Sequence, residues 1–580
     1  MSRGDDNSDV ETTADPPRLP SQAEHRRGLL IRAVLIMIPL ASLGTYPLVF
    51  ANKLGGEYPF VVAIPWAALL VMLWLVLGAP GLTSNNSPFG KVLLLYLAAA
   101  AASLLFAIHR SFCASAIVPL IVHLTLAYSV ASYFDAKKNS WMVGLWMASA
   151  TILGCWAMIE HLLNPASAAE PAATFGNRNF LAGFLAASIW ICLGFAREDQ
   201  NKIRRLIYAL WAIGLMTVIV IACRSRGAAL ATIIVGGMML LTKQKNNLRR
   251  LLWVGAAVLG IVAILTLPSV NSRLAKIQVE DVRPAIWTGT LRMIQARPWT
   301  GTGWGSFVTE YPSYRPPEYF KIGRAAAVTN HAHNEFLEMT AEGGVLTLVA
   351  FVALLIFVGR QGLKATRTGN LYALGFLGGL ATWLVHNFVD TNLRVVPNQT
   401  LFWLLIGLVV AQNRSDNTPV PRCAGPDRTS STPTTYFLRL GTILVALGVL
   451  IFGIVRPLQT DISLAIALQA RARNDWPATI AAYQRALTTE PDHLEIWERL
   501  GYAYSRIGAL DKARESYERL KSIAPDYGDV NTNLGRVLMD LGKPQQAVPL
   551  FQRAVAMNPY DPSKQKLLED AQHQATQKPL

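Results

Sequence analysis

Four short polar clusters stand beside the long apolar runs of this sequence or in the loop between two of them. They are Thr174–Asn179 (TFGNRN), Arg224–Gly227 (RSRG), Arg283–Phe307 and His331–Leu337 (HAHNEFL). Polar side chains near the ends of membrane helices are costly, so their clustering is informative. Arginine forks bind phosphate oxygens through paired hydrogen bonds, and histidine can exchange a proton near neutral pH. These clusters are therefore the candidate functional site.

The elements that must position these clusters are membrane helices. The chain has 580 residues, of which 52% are apolar and 16% charged, and its mean hydropathy is +0.31. One water-soluble core could not bury so much apolar surface. We therefore predict an all-α fold, a polytopic membrane helix bundle with about 12–13 spans. The predicted spans are 29–50, 58–79, 92–108, 115–134, 141–163, 179–196, 203–222, 226–242, 250–267, 335–358, 371–389, 400–412 and 438–456, of which 400–412 is the weakest.

Charge predicts how the chain is oriented in a bacterial inner membrane. The formal net charge is +16, and most of the excess lies in loops on one side of the predicted spans, as the positive-inside rule describes. This pattern argues against nucleic-acid binding and predicts a cytoplasmic N-terminus. Residues 1–27 are polar, with no cleavage site for a signal peptide, and are predicted to form a disordered cytoplasmic tail. The basic residues in short loops of the opposite side need another explanation: Lys53, Arg110, Arg178, Arg224, Arg226 and Arg394.

Three regions follow from this topology. Residues 28–457 form the membrane domain, and its loop 268–334 is too long for a simple connector, so it is expected to have structure of its own. An odd number of spans places that loop and the C-terminal region 458–580 on the outer, periplasmic side. The five cysteines are scattered without disulfide or metal-ligand spacing, so they are interpreted as small apolar residues, and no metal is predicted.

The C-terminal region repeats. Pro491, Pro525 and Pro559 are 34 residues apart, and Gly508 and Gly542 keep the same period. A 34-residue period with glycine at the inner turn and proline at the end resembles the tetratricopeptide repeat, an α-solenoid in which neighbouring helix pairs stack. The repeats cover about 470–565. They are expected to hold a peptide or partner protein, although a simple spacer or cap is the alternative.

The membrane domain resembles the O-antigen ligase and polysaccharide polymerase superfamily over roughly 30–410. The resemblance is carried by GNxN (Gly176, Asn177, Asn179), SRG (Ser225, Arg226, Gly227), Arg283 with Trp287, Pro298 with Gly301, Gly303, Gly305 and Phe307, and HNxxL (His333, Asn334, Leu337) with Glu342 and Gly344. It implies a GT-C-like helix bundle. Each motif alone is weak, but their order around one large outer loop makes the set specific.

The resemblance also implies a reaction. A glycan on undecaprenyl diphosphate is transferred to an acceptor hydroxyl at the periplasmic face, without a metal or other cofactor. His333 is then the proton acceptor, with His331 as the competing candidate. Arg226 and Arg283 stabilise the diphosphate, and Asp390 orients a catalytic side chain. Residues expected to bind the lipid diphosphate or the glycan are Arg224, Asn177, Asn179, His331 and Asn334.

Each of these residues also has a structural interpretation. Arg224 and Arg226 could extend to the membrane interface, and Arg283 could be an ordinary loop charge. The asparagines could bond backbone, the histidines could satisfy carbonyls at a helix end, and Asp390 could be structural. The glycines from 301 to 305 are interpreted as a turn that lets backbone pack closely, because the nucleotide-binding context of a preceding strand and a lysine is missing. His386 and Arg394 have no assigned role.

Several functions remain open at this stage. Ligase, polymerase and protein O-oligosaccharyltransferase share the donor and differ in the acceptor. A transporter or flippase of envelope lipids would favour charged residues near the middle of broken helices, whereas here the predicted span centres are almost free of charge. A membrane anchor that only presents repeats would not need the four clusters.

Overall fold

The computed structural model describes residues 87–133, 141–163, 173–175, 177–243, 281–322, 329–413 and 456–577. Across these ranges the secondary structure is helical, with short 3-10 turns and without a strand, which confirms the all-α prediction. The helices are α1 Pro88–Ala102, α2 Arg110–Tyr133, α3 Trp141–Leu163, α4 Arg178–Glu198, α5 Lys202–Ile221, α6 Arg226–Lys243, α7 Arg283–Ala296, α8 Glu335–Arg367, α9 Tyr372–His386, α10 Val396–Ala411, α11 Arg456–Ala472, α12 Trp476–Thr489, α13 Leu494–Arg506, α14 Leu510–Ile523, α15 Val530–Asp540, α16 Pro544–Met557 and α17 Pro562–Gln577.

Every predicted span that falls on described residues coincides with one of the helices α1–α6 and α8–α10. Five segments are long and apolar enough to cross a membrane by length and composition: Pro88–Phe106, Trp146–Leu163, Arg178–Glu198, Lys202–Ile221 and Glu335–Arg367. Shorter apolar segments include Ala116–Ser132, Arg226–Met239, Tyr372–His386 and Asn398–Ala411. The tail 1–27, the predicted spans 29–50, 58–79, 250–267 and 438–456, and Gly176 lie outside the described residues.

The weakest predicted span, 400–412, forms one of the most buried helices of the bundle. Its helix α10 packs against α2, where Thr400 Oγ1 lies 3.1 Å from His123 Nε2. A Cβ on Gly407 would stand 2.6 Å from the carbonyl oxygen of Ala127. Small residues of this kind let helix backbones approach closely in membranes. A helix enclosed by its neighbours can be short because it contacts protein on most sides.

The long loop 268–334, predicted to lie on the outer side and called the outer loop below, has structure of its own over the described residues 281–322. Helix α7 is followed by the glycine-rich turn, and that turn is packed against a break in α8. The break is at Gly344, whose φ of 74° interrupts the helical conformation. The amide of Val345 donates to the carbonyl of Pro298 (2.8 Å), and the amide of Gly303 donates to the carbonyl of Glu342 (2.9 Å). The glycines therefore serve close backbone packing, in agreement with the sequence interpretation.

The C-terminal helices form the predicted repeats, with α11, α13 and α15 each followed by its partner α12, α14 and α16, and with α17 at the end. The turns inside the helix pairs contain Asn474, Gly508 and Gly542, spaced 34 residues apart, with positive φ angles of 58°, 73° and 73°. The ring of Tyr517 lies 2.8 Å from the position of a Cβ on Gly501, and the same kind of contact recurs one repeat later. Glycine at this position lets the two helices of a pair close on an aromatic ring.

The repeats contact the outer loop through residues 307–322, which we call the docking segment. This segment consists of short helical turns. Ser313 donates a hydrogen bond to Asp526 Oδ2 (2.9 Å), and Val308 packs against the apolar core of the repeats. Lys321 Nζ lies 4.9 Å from the centre of the Tyr560 ring. The repeat domain is thus attached to the same loop that carries the glycine-rich turn.

The break in α8 yields a prediction about stability. Replacing Gly344 with alanine places a Cβ 2.1 Å from the carbonyl oxygen of Trp299, in a backbone conformation that only glycine adopts readily. We expect G344A to lose about 1–3 kcal/mol of stability, measured as a lower apparent melting temperature in detergent. The control is G214A in α5, where nothing lies within 4 Å of the added Cβ. A melting temperature for G344A equal to that of G214A would contradict the packing described here.

Candidate functional site

The polar clusters lie at one end of the helix bundle. Asn398, near the start of α10, donates its side-chain amide to the carbonyl of Phe180 near the start of α4 (2.9 Å). Asn334, just before α8, donates to the carbonyl of Phe388 just after α9 (3.0 Å). Gly227, at the start of α6, lies against the last residue of α9. The ends of five helices therefore meet where the polar residues are.

A buried ion cluster occupies the start of α8. Glu335, Glu338 and Glu342 follow a spacing of three and four residues, which puts their carboxylates on one face of the helix. Arg394 donates to Glu335 Oε1 (3.0 Å) and to Glu342 Oε2 (2.8 Å), and its Nε lies 3.5 Å from Glu338 Oε1. The Arg394 guanidinium also covers the Trp304 ring at 5.3 Å. One arginine thus joins α8, the connection between α9 and α10, and the glycine-rich turn.

The same cluster holds the histidine segment, residues 331–334. Glu338 accepts from the amide of Ala332 (2.7 Å) and pairs with His331 Nδ1 (3.0 Å). Burial lowers the pKa of His331, but the Glu338 carboxylate outweighs this effect and raises the pKa above its usual value. Trp287 on α7 donates to the carbonyl of Ala332 (2.9 Å). The imidazole of His331 is therefore engaged in positioning the segment.

The docking segment supports the histidine segment from its other side. The amide of Phe307 donates to Glu342 Oε1 (3.1 Å), and the rings of Phe307 and Tyr311 stack at 4.7 Å. Both rings belong to a small apolar core that also contains Ala332 and Met293. The repeats and the histidine segment are consequently connected through one short element.

His333 lies next to the ion cluster and is partly exposed. Its φ of 50° is a left-handed conformation that is uncommon for a residue other than glycine. The helix itself begins at Glu335, because the side chain of Asn334 caps it by accepting from the amide of Leu337 (3.0 Å). The His333 side chain is 40% exposed, and its Nδ1 lies 3.7 Å from Asp390 Oδ1. That distance exceeds a hydrogen bond, so the contact is electrostatic.

Asp390 lies between two histidines. Its Oδ2 is 4.0 Å from Nε2 of His386, and the imidazole of His386 is 2% exposed. The side-chain amide of Asn392 donates to His386 Nδ1 (3.0 Å), so Nδ1 is the acceptor and Nε2 carries the hydrogen that faces Asp390. Burial raises the pKa of Asp390, but His333, His386 and the amide of Thr391 outweigh it and hold the pKa below its usual value. Asp390 is therefore ionised at neutral pH.

The RSRG cluster reaches this group of residues through its glycine. A Cβ on Gly227 would stand 2.9 Å from Cδ2 and 3.0 Å from Nε2 of His386. Arg226 is the first residue of α6, as predicted, and its side chain is exposed. Arg224 is also exposed and has a positive φ of 50°. Within the described residues neither arginine has a carboxylate in ion-pair distance, so both guanidinium groups remain available to a ligand.

Arg283 and the asparagines complete the predicted set. Arg283 begins α7, lies 3.8 Å from Asp281 Oδ2 and is 33% exposed, and its charge acts on His386. Asn177 caps α4 by accepting from the amide of Asn179 (2.8 Å). Among the described residues, no group of three or more His, Cys, Asp or Glu side chains is arranged to hold a metal ion.

The structure brings some of the predicted residues together, whereas the side chains of others bond neighbouring parts of the protein. His333, Asp390 and the start of α6 meet around His386, which the sequence left unassigned. Asn177, Asn334 and His331 use their side chains as caps or ion-pair partners. Sequence reasoning missed the ion cluster around Arg394. Two signals could have revealed it: an arginine in a loop predicted to be on the outer side, without an orientation role, and glutamates spaced along one face of an apolar helix.

Both the membrane domain and the C-terminal repeat region match models of known protein families. Residues 209–352 match the family model described as O-antigen ligase. Residues 464–528 and 532–568 match the tetratricopeptide repeat. The two resemblances predicted from sequence motifs are therefore confirmed.

Two curated proteins are similar to short stretches of the chain. The small glutamine-rich tetratricopeptide repeat-containing protein 2 of Mycosarcoma maydis is 30% identical over 91 residues, which are 16% of this chain and 26% of that protein. The peroxisomal targeting signal receptor of Candida glabrata is 26% identical over 98 residues, or 17% of either chain. The chain thus spans about a quarter or less of the length of these relatives.

The ion cluster yields a prediction about stability. Replacing Arg394 with methionine leaves three buried carboxylates without their shared partner, so we expect a loss of about 3–5 kcal/mol. R394K should recover only part of the lost stability, because an ammonium lacks the planar fork that bonds Glu335 and Glu342 at the same time. The measurement is the apparent melting temperature in detergent, with R292M at an exposed position of α7 as the control. An R394M melting temperature within error of R292M would refute the prediction.

Proposed function

We propose that this chain transfers a glycan from undecaprenyl diphosphate to an acceptor hydroxyl at the periplasmic face of the bacterial inner membrane. The match of residues 209–352 to the O-antigen ligase family supports a lipid-linked glycan ligase or polymerase. The donor, the residues and the mechanism are inferred from the arrangement of side chains. No metal or cofactor has a role in this proposal.

One observation carries the proposal. Gly227 lacks the Cβ that would clash with His386, so the start of α6 reaches the group formed by His386, Asp390 and His333. Arg226 is exposed and has no carboxylate within ion-pair distance among the described residues. It stands directly before Gly227, the residue that contacts this histidine–aspartate group. A cation for a phosphate and a base for a hydroxyl are what glycan transfer from a diphosphate carrier needs.

The donor diphosphate is bound by arginines. When the bond between the sugar carbon and the phosphate oxygen breaks, undecaprenyl diphosphate leaves with the bonding electrons and gains negative charge. Arg226 and Arg283 stabilise that charge through bidentate bonds, with Arg224 as a neighbour. The free amides at the start of α6 add a partial positive charge beside Arg226.

The acceptor is activated by His333. An ionised Asp390 facing Nδ1 favours the tautomer with hydrogen on that nitrogen, which leaves Nε2 free to accept a proton. As the acceptor oxygen attacks the sugar carbon, its proton moves to Nε2. His386 faces the other oxygen of Asp390 and helps to orient the carboxylate, so it acts through Asp390 and is a positioning residue.

The remaining predicted residues fall into two groups, those whose side chains already bond other parts of the protein and those proposed to contact the glycan. Asn177, Asn334 and His331 shape the site through helix caps and the pair with Glu338. Asn179, at the start of α4, is the asparagine proposed to contact the glycan.

The proposed topology follows the charge pattern of the sequence. The tail 1–27 is cytoplasmic, residues 28–457 form the membrane domain, and residues 458–580 are periplasmic with the loop 268–334. Tetratricopeptide repeats indicate a protein–protein interaction, so we expect a protein partner on the repeats. Because the repeats are attached to the docking segment, a protein O-oligosaccharyltransferase is the second candidate: a protein acceptor held there would be near the site.

The proposal predicts the outcome of a complementation experiment. In a strain that lacks the gene, the wild type restores the surface glycan or glycoprotein profile. H333A should fail, because a general base contributes about 10²–10⁴-fold to such a step. R226A should fail as well, because it removes charge stabilisation worth about 10²–10³-fold. The measurement is the glycan profile of the cells at equal membrane abundance of each variant.

The matched control is R205A, at an exposed arginine on α5 near the opposite end of the bundle. This variant should restore the profile. Full restoration by both H333A and R226A would disprove the assigned site. A profile unaffected by deletion of the gene would disprove the functional class.

A further inference from the structure

The repeat domain presents two arginines stacked on two aromatic rings. Trp476 begins α12 and Tyr502 lies on α13, with their ring centres 6.0 Å apart in an edge-on contact. The Arg471 guanidinium carbon lies 5.3 Å from the centre of the Tyr502 ring. That of Arg506 lies 5.7 Å from the centre of the Trp476 ring. We call these four residues the ring–arginine cluster.

The cluster is accessible to a ligand. Tyr502 is 41% exposed and the adjacent Ile507 is 47% exposed, and both arginines are exposed. It lies on α11, α12 and α13, whereas the docking segment contacts the region from Asp526 to Tyr560. The docking segment therefore does not cover the cluster.

Four other arginines of the repeats are paired with carboxylates. Arg499 pairs with Glu495, Arg514 with Glu518, Arg519 with Asp492 and Arg553 with Asp526. Arg471 and Arg506 have no carboxylate within ion-pair distance among the described residues. Each instead lies over a ring, a contact that orients the planar guanidinium and leaves its N–H groups available for a carboxylate.

We propose that the ring–arginine cluster binds an acidic segment of a partner protein, with carboxylates on Arg471 and Arg506 and an apolar or aromatic side chain against Tyr502 and Trp476. Tryptophan, tyrosine and arginine are the residues that most often dominate protein interfaces. The exposed Ile507 favours a peptide side chain over a hydroxyl-rich glycan at this surface. This inference rests on the proposed partner-binding role of the repeats, and it is independent of the glycan-transfer chemistry.

Binding to the full-length protein in lipid nanodiscs tests this proposal. The probe is a fluorescent random copolymer of glutamate and tyrosine, followed by fluorescence anisotropy, with a copolymer of lysine and tyrosine as the opposite-charge comparison. We expect the acidic copolymer to bind and the basic copolymer not to bind. The double variant R471E/R506E should weaken binding by at least about 10-fold, and Y502A should weaken it as well.

The control variant is R485E, at an exposed arginine of α12 that lies on no ring described here. It changes charge in the same domain and should alter binding less than about 2-fold. Circular dichroism of each variant verifies that the helices are intact. Higher salt should weaken binding to the wild type and should change the residual binding of R471E/R506E less.

Three results would overturn the inference. They are no binding of the acidic copolymer, equal weakening by R485E and R471E/R506E, and displacement of the copolymer by polygalacturonate, an anionic polysaccharide, at lower concentration. None of these bears on glycan transfer, because R471E/R506E is scored separately for the surface glycan profile. Loss of copolymer binding with an intact profile would support the inference and leave the transfer site unaffected.

Discussion

The pairing of one arginine, 12% exposed, with three buried glutamates is the interaction on which the rest of this site depends. Arg394 bonds Glu335 and Glu342 across the start of α8, and Glu338 of the same cluster holds the segment before His333. Buried charges are tolerated only when they are paired and hydrogen-bonded. The cluster therefore requires that α8, the connection from α9 to α10 and the glycine-rich turn assemble together, and His333 is held at the edge of that assembly.

Two further contacts connect the ion cluster and the histidine segment to helix α6 and to the repeats. Gly227 and His386 set the separation of α6 and α9, which determines how near Arg226 comes to the histidine–aspartate group. The docking segment packs on the repeats through Val308 and on Ala332 through Phe307 and Tyr311. A partner on the repeats would thus be connected, through the docking segment, to the histidine segment.

Much of the fold could be predicted because its signals are local. Apolar runs of spanning length and a 34-residue period depend on residues near each other in sequence, so the helices α1–α6 and α8–α10 and the repeats agree with expectation. The start of helix α6 at Arg226 could also be predicted from the sequence. The bonds of Asn334, His386 and Arg394 could not be predicted from the sequence. Asn334 and Arg394 bond partners more than 50 residues away, and the tautomer of His386 depends on the side chain of Asn392. Sequence patterns therefore proposed candidate residues and missed the contacts by which Asn334, His386 and Arg394 hold their neighbours in place.

The central claim is that His333 and Arg226 act on one lipid diphosphate donor. The most direct measurement is the release of undecaprenyl diphosphate by purified protein in nanodiscs, supplied with a lipid-linked glycan and a membrane extract that contains the acceptor. The account predicts acceptor-dependent release by the wild type and by R205A, and none above background by H333A or R226A. Undiminished release by either site variant would contradict the account.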